Sequence, residues 1–289
     1  MRIISSKKQT VKECLEENNF SRKVIRGLDY VYVDNKEIRL WMEIEENTII
    51  DVPIKKEESD IIPTKGEIAI IYEDNDLLIV NKKNKVSTQP NIGHYTDSLA
   101  NFIKYYFEEH NIDSTVHLVN RLDFETSGLV LVAKSSYVHN LFKKVKILKK
   151  YYAVCEGIID DDGIIEKPII REGKIRIIGG DKIAITEYKV LKKNKNTLIE
   201  CILHTGRTHQ IRVHMKSINH PVVGDNLYGS GDDLALQSYF LEFIHPITKK
   251  EIKVELELEN RLLERIWYKW KLVLLKNLKY LEKHLLVIC

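Results

Sequence analysis

Residues 120–134 constrain the fold of this chain more than any other stretch. Asn120-Arg121-Leu122-Asp123-Phe124-Glu125-Thr126-Ser127 is largely polar and ends at Gly128, and Leu129-Val130-Leu131-Val132-Ala133 is apolar without a break. So short an apolar run reads as a buried strand. A loop anchored to it holds a carboxylate, Asp123, at a fixed and partly exposed position. On composition alone, an aspartate before a strand is more often a turn residue than a reactive one.

Around that strand, elements mix without regular alternation. Ile68 to Tyr72 and Leu77 to Val80 are apolar runs separated by Glu73-Asp74-Asn75-Asp76, a hairpin signal. Ser98 to His110 has helical spacing through Leu99, Phe102, Ile103, Tyr106 and Phe107. Tyr137 to Lys150 reads as a basic helix, and short strands are expected from there to about Phe243. Such an order points to an α+β fold and not to a doubly wound sheet.

The two ends differ from this middle. Residues 1–55 read as a separate small unit. Thr10-Val11-Lys12-Glu13 fits a capping box. Ser21 can cap a second helix that runs to Gly27, and Val31, Val33, Ile38 and Leu40 flank the turn Asp34-Asn35. With Arg22, Lys23, Arg26 and Arg39 among them, these elements suggest a small RNA-binding module; a helical cap on the main domain is the plainer reading. Residues 56–66, dense in charge around Pro63, read as a linker, and 67–258 as the main domain. Residues 259–289 read as a basic amphipathic helix. Leu263, Trp267, Trp270, Leu274, Leu278 and Leu281 form its stripe, and Arg261 to Lys283 carries five excess positive charges. Such a helix either packs back on the domain or touches RNA phosphates.

Composition bounds the function classes. With 289 residues, 44% hydrophobic and 30% charged, the chain is globular in make-up and not disordered. A formal charge of +3 neither demands nor forbids an acidic partner, so nucleic-acid binding must rest on local patches. The four cysteines, Cys14, Cys155, Cys201 and Cys289, form no C-x-x-C pair, which argues against zinc knuckles and thioredoxin-like chemistry. Scattered thiols suit a reducing cytosol. No apolar run approaches a membrane span, and Met1 to Lys8 lacks the apolar core of a signal peptide, so a cytoplasmic soluble protein is expected. His204, His209 and His214 recur at a spacing that fits neither one strand face nor one helix face, so no metal is expected there.

Three blocks resemble the RluA family of pseudouridine synthases. Residues 120–134 look like its R-L-D-x-x-T-S-G-L-L-L-x-A-K signature. Lys149 to Gly157 is similar to K-x-Y-x-A-x-V-x-G, with Cys155 where valine is usual. Thr205 to His214, followed by Pro221 to Gly229, resembles T-G-R-x-H-Q-I-R-x-H and G-D-x-x-Y-G. The matches spread over about Glu67 to Pro246 in the expected order. The resemblance implies a mixed, largely antiparallel sheet of the pseudouridine synthase type, with flanking helices and a central catalytic cleft. The N-terminal order is similar to the S4-like α/β module that often precedes RNA-modifying enzymes.

What the family implies in function is the isomerisation of uridine to pseudouridine in structured RNA, ribosomal ahead of transfer RNA, by a monomer with no metal and no cofactor. Carried over, Asp123 is the essential carboxylate. Tyr151 is the ring that packs on the target base and the favoured group to remove the C5 proton. Arg212 is the partner that keeps Asp123 ionised and oriented. Arg121 takes the place of the extruded nucleotide in the stack, and Arg207, His209 and Gln210 line the cleft. Lys143, Lys144, Lys146, Lys149 and Lys150 offer a basic surface.

The chain departs from the family pattern in three places. Asn120 stands where histidine is usual, Lys82-Lys83-Asn84-Lys85 where K-P-x-G is usual, and Leu236-Gln237-Ser238 where L-H-A is usual. Asn120 and Gln237 can hydrogen-bond but cannot carry a proton charge. These departures motivate a rival reading, an RNA-binding or ribosome-assembly protein that kept the fold and lost turnover. A different carboxylate-dependent hydrolase would need a second well-placed acid.

Overall fold

In the first segment of the chain, local signals and local structure agree. The computed structural model describes residues 1–53 and 59–267. Elements there run β1 (Arg2–Ile4), β2 (Gln9–Thr10), α1 (Val11–Glu17), α2 (Arg22–Arg26), β3 (Tyr30–Val33), β4 (Lys36–Arg39), β5 (Glu43–Ile44) and β6 (Ile49–Asp51). Thr10 and Glu13 close the capping box on α1, and Ser21 Oγ accepts the Val24 amide at 3.2 Å at the start of α2. Asp34 and Asn35 both have positive φ, 51° and 63°, which sets the two-residue turn between β3 and β4. The sheet runs β1-β6-β3-β4, and Val11, Cys14, Leu15, Val31 and Ile50 bury completely against one another beneath it.

The second part carries β7 (Ala69–Glu73), β8 (Leu77–Lys82), α3 (Leu99–Glu109), β9 (His117–Leu118), β10 (Ser127–Ala133), α4 (Ser136–Leu141), β11 (Leu148–Cys155), β12 (Gly163–Glu172), β13 (Ile175–Lys193), β14 (Thr197–Leu203), α5 (Gln210–Lys216), β15 (Leu236–Ile244), β16 (Glu251–Glu255) and α6 (Asn260–Ile266). Its ten-stranded sheet runs β12-β13-β14-β11-β15-β10-β8-β7, with β16 on β15 and β9 on β10. Only β10 and β15 pair in parallel, so the sheet is mixed and largely antiparallel, the α+β architecture expected. All of β10 is buried. Two cores form on it: Val130 and Val132 pack with α3, and Leu129 and Leu131 pack with α4 and Phe243.

The two parts touch at α4. The Phe20 and Tyr137 rings lie 4.7 Å apart, and Asn140 and Lys144 both bond Asn19.

Three sequence expectations are corrected. The basic helix over Tyr137–Lys150 ends at Leu141, because Leu148 to Lys150 belong to β11 and pair with Phe240 to Glu242. The lysines therefore form no single helix face: Lys143, Lys144 and Lys146 are exposed, whereas Lys149 and Lys150 are half-buried in the sheet. The short strands expected up to Phe243 include a 19-residue strand, β13, paired along β12 and β14. They also include a helix, α5. Six of its seven residues are buried, so no polar–apolar period marks it in the sequence.

The start of the C-terminal segment packs back on the domain, with Leu262 and Ile266 fully buried and Arg261 bonded to Ser127 Oγ and to the Leu234 and Leu236 carbonyls. The rest of the proposed helix, from residue 268, lies outside the described residues, as do 54–58 of the linker.

Candidate active site

The loop before β10 is held from several directions. Thr88 accepts the Leu122 amide at 3.2 Å and donates to the Leu122 carbonyl at 2.5 Å. The Thr126 amide closes a turn onto the Asp123 carbonyl at 3.1 Å. Asn120 reaches across to β10, donating to the Leu129 carbonyl at 3.1 Å and accepting the Leu131 amide at 2.7 Å. Gly128 then turns the chain with φ +111°; a Cβ there would sit 2.0 Å from the Ser238 carbonyl oxygen of β15, so no other residue fits. Beneath the loop, the buried Lys82 ammonium donates to three carbonyls, of Lys83 at 3.0 Å, Val86 at 2.7 Å and Phe124 at 3.2 Å. Burial pulls the Lys82 pKa down to about 7, against the opposing charge of Asp123.

Facing this loop is a cavity of about 550 Å³ lined by all seven residues singled out from the sequence: Arg121, Asp123, Tyr151, Arg207, His209, Gln210 and Arg212. Asp123 presents a carboxylate that is 29% exposed. Two nitrogens stand just beyond hydrogen-bond range of Oδ2: Arg212 Nη1 at 3.7 Å and His209 Nε2 at 3.8 Å.

Besides Asp123, Arg212 has a second and closer partner. The guanidinium makes its two short bonds to Asp225, Nε to Oδ2 at 2.8 Å and Nη2 to Oδ1 at 2.7 Å, with both residues buried. Asp225 also accepts the Leu227 and Tyr228 amides, each at 3.0 Å. Burial is the largest influence and works against the Arg212 charge, but the Asp225 hydrogen bond together with the charges of Asp225, Asp123 and Glu125 outweighs it, and the arginine pKa rises. Asp225 thus fixes the fork, and its remaining arm points at Asp123. Glu125 lies 3.7 Å from Arg212 Nη2, and burial raises its pKa against the pull of that charge.

Three further residues complete the cleft. His209 adopts a left-handed backbone, φ 56°, at the start of α5, a strained conformation of the kind that concentrates at functional sites. Its Nδ1 lies 2.8 Å from the Tyr228 hydroxyl, and burial lowers its pKa. Gln210 does not have a free group for a ligand. Its oxygen accepts from Thr205 Oγ1 and the Arg207 amide, and its nitrogen donates to the Ile185 carbonyl and Thr186 Oγ1, so it braces the loop that exposes Arg207. Tyr151 is buried beside a register shift between Lys150 and Tyr151 in the β11–β15 pairing, the kind of bulge that re-aims a side chain. Burial pushes its phenol up to about 12, with the charge of Asp123 acting the same way. Tyr152 faces the other side and stacks on Tyr239 at 3.7 Å.

Sequence reasoning gave no role to Lys82 or Asp225, although both sit inside motifs it quoted. The residues that depart from the family pattern also have tasks. Asn120 clamps the loop as described, and Gln237 bonds the Glu257 carbonyl and the Glu259 amide at 2.9 and 3.0 Å.

The three spaced histidines separate: His204 meets Glu187, His209 meets Tyr228, and His214 meets Thr186. Among the described residues, Asp74, Asp76 and His245 do bring metal-ligating atoms within 4.8 Å of one another. His245 Nδ1, however, accepts the Ile247 and Thr248 amides, which leaves the imidazole proton on Nε2, facing Asp74 at 3.2 Å. That arrangement suits a hydrogen-bonded turn and not a metal.

A family model described as RNA pseudouridylate synthase matches residues 76–217. The Bacillus subtilis protein named "Uncharacterized RNA pseudouridine synthase YhcT" is 38% identical over 217 residues, 70% of this chain and 72% of that one. The ribosomal large subunit pseudouridine synthase D of Blochmanniella floridana is 33% identical over 277 residues, 85% of this chain and 86% of that one. The solved structure of human RNA pseudouridylate synthase domain containing 1 superposes with a TM-score of 0.55 and 25% identity, covering 70% of this chain and 86% of that one. Identity of this extent, on the same fold, shows that the chain belongs to the RNA pseudouridine synthase family.

Proposed function

We propose that the chain isomerises uridine to pseudouridine in structured RNA, with ribosomal RNA ahead of transfer RNA as the substrate, and that Asp123 is its catalytic carboxylate. One observation carries this reading. The Asp123 carboxylate opens onto a cavity large enough for a single everted nucleoside, with the buried Arg212 guanidinium at 3.7 Å and Tyr151 also in its lining. The preference for ribosomal RNA follows the name of the Blochmanniella relative. The chain acts as a monomer in the cytoplasm; no helix among the described residues is long and apolar enough to cross a membrane.

The reaction breaks the N1–C1′ bond, turns the uracil in the cleft and joins C5 to C1′; C5 loses a proton and N1 gains one. No group departs, so the site must hold the free base while it turns. Asp123 serves by attacking the sugar, attacking the base or removing a sugar proton, and each course uses the Arg212 charge beside it. Tyr151, a protonated phenol at neutral pH, supplies the apolar face on which the base rests. To remove the C5 proton it must first give up its own, which burial opposes. Everting the nucleotide costs a few kcal/mol. Arg121, exposed at the cleft, can stack in the vacated place, and Arg207 can bind phosphate.

The rival reading of a fold kept without turnover rested on the departures from the family pattern. Asn120 and Gln237 are fully engaged in fixing the loop and the sheet, which supports an intact site. Tritium release from C5-labelled, unmodified ribosomal RNA transcripts tests the choice. Wild type should release tritium, and Asp123→Asn should fall by at least about a thousandfold while its RNA affinity stays within a few fold. RNA binding without release in wild type would favour the rival.

The N-terminal unit acts as an S4-like grip on RNA. Its support is the pair of short helices leading into a hairpin, with Arg22, Arg26 and Arg39 exposed. Changing these three to alanine together should weaken RNA binding and reduce the slope of log affinity against log salt by about 2–3. An unchanged slope would remove this unit from the RNA path.

A further inference from the structure

We propose that Phe124 and His94 form a stacking platform at the mouth of the cleft for the base next to the everted uridine. The proposal rests on the functional reading above and adds a second contact point for the same RNA strand.

Phe124 directly follows Asp123 and lines the same cavity, yet it is 40% exposed. Its backbone is fixed, because Lys82 holds its carbonyl at 3.2 Å. The ring is therefore held outward by a rigid loop, where packing contributes little. A ring needed for the core would lie inside it, as Leu122 does two positions earlier.

The second ring is held as firmly. His94 lies with its ring centroid 5.0 Å from that of Phe124 and the planes 32° apart. Its Nδ1 bonds Asp97 at 2.9 Å. Reciprocal backbone bonds between Asn91 and His94, at 3.3 and 2.9 Å, close the turn, and Gly93 supplies the positive φ of 91° that it needs. Asn91 Nδ2 ties the turn to Ser87 Oγ at 2.7 Å. The same loop exposes Ile92 at 90% and Tyr95 at 62%, so this rim carries more open apolar surface than a lone phenylalanine.

Chemistry chooses the occupant. Single-stranded bases stack on aromatic rings whatever their identity, and a cation beside the ring follows the backbone phosphate. Arg121 is exposed in the same cavity wall, three residues before Phe124. The surface continues directly into the cleft, so a strand with one nucleotide everted onto Tyr151 passes over it. Tyr151 is buried and faces the target; Phe124 is open and faces what flanks it.

The test uses the full chain and its Phe124→Ala, Phe124→Trp and His94→Ala variants. Filter binding and tritium release are measured on unmodified ribosomal RNA transcripts. Quenching is measured with a single-stranded oligouridylate carrying one 2-aminopurine. Phe124→Ala should weaken transcript binding about 5- to 150-fold, the worth of one stacked base, and raise KM by a similar factor with kcat changed far less. Phe124→Trp should restore both, and His94→Ala should give a smaller loss of the same kind. Wild type and the tryptophan variant should quench the 2-aminopurine, and Phe124→Ala should not.

Unchanged RNA affinity in Phe124→Ala would overturn the platform and leave the surface to a protein partner. A loss confined to kcat would make Phe124 a positioning residue for the Asp123 loop and would equally overturn it. If wild type converts no uridine but quenches through Phe124, the functional reading falls and the platform stands.

Discussion

The two walls of the cleft spend their polar groups in opposite ways. On the α5 wall the buried groups are paired within the protein: Arg212 and Asp225 form a fork, and Gln210 uses its oxygen and nitrogen on four protein partners. On the 120–127 wall the backbone is tied by Thr88, Asn120 and Lys82, while Asp123, Arg121 and Phe124 keep their side chains open to the cavity. One wall gains position by pairing side chains. The other gains it by pinning the main chain, which leaves the side chains free to meet a substrate.

The largest effect should come from breaking the engaged wall. Asp225→Ala leaves the buried Arg212 guanidinium without its carboxylate, which costs about 3–5 kcal/mol. The freed arginine is then drawn toward Asp123 and Glu125, both 3.7 Å away, so activity should fall even in molecules that stay folded. Denaturant unfolding beside tritium release measures both losses. An Asp225→Ala protein as stable and active as wild type would mean that the fork does not position anything.

The pinned wall breaks at Lys82. Lys82→Met keeps the volume but removes the donor to three carbonyls, a loss on the order of 3 kcal/mol. The effect on kcat should exceed that on KM, because the Phe124 carbonyl fixes the residue next to Asp123. Lys82 also carries a pH signature. Burial holds its pKa at about 7 against an ordinary 10.5, so between those values the unfolded chain binds the extra proton. Stability from this group therefore rises with pH across that window. The Lys82→Met protein should lose the rise; if both proteins show the same slope, the amine does not titrate there.

Sequence legibility divides along the same line. The hairpins at Asp34-Asn35 and Glu73–Asp76, the capping box at Thr10 and Glu13 and the buried strand β10 were readable because each depends on residues close in the chain. The residues that line the cavity could be singled out because long motifs carry them. What failed was long-range. Asp225 lies 13 positions from Arg212, and nothing in their spacing distinguishes a fork from two separate charges. The lysines after Leu141 looked helical until β15 claimed Leu148 to Lys150 as a strand. Lys82 reads as one more surface lysine in a basic run, and only the fold buries it beneath the loop.

The smallest predicted effect tests whether the open wall carries strain. Lys85 stands where the family usually has glycine and holds φ at +58°, the left-handed region that costs a side chain about 1–2 kcal/mol. Glycine would remove that cost but would gain freedom in the unfolded chain, offsetting roughly 0.5–1 kcal/mol. Lys85→Gly should therefore stabilise the protein by about 0.5–1 kcal/mol, a Tm rise of about 1–4 °C. Calorimetry gives the sign. A fall in Tm would show that the lysine side chain contributes contacts that outweigh its backbone cost. A rise in Tm with weaker RNA binding would mean that the strain is retained for phosphate, and the pinned wall would then hold one more side chain in reserve for the substrate.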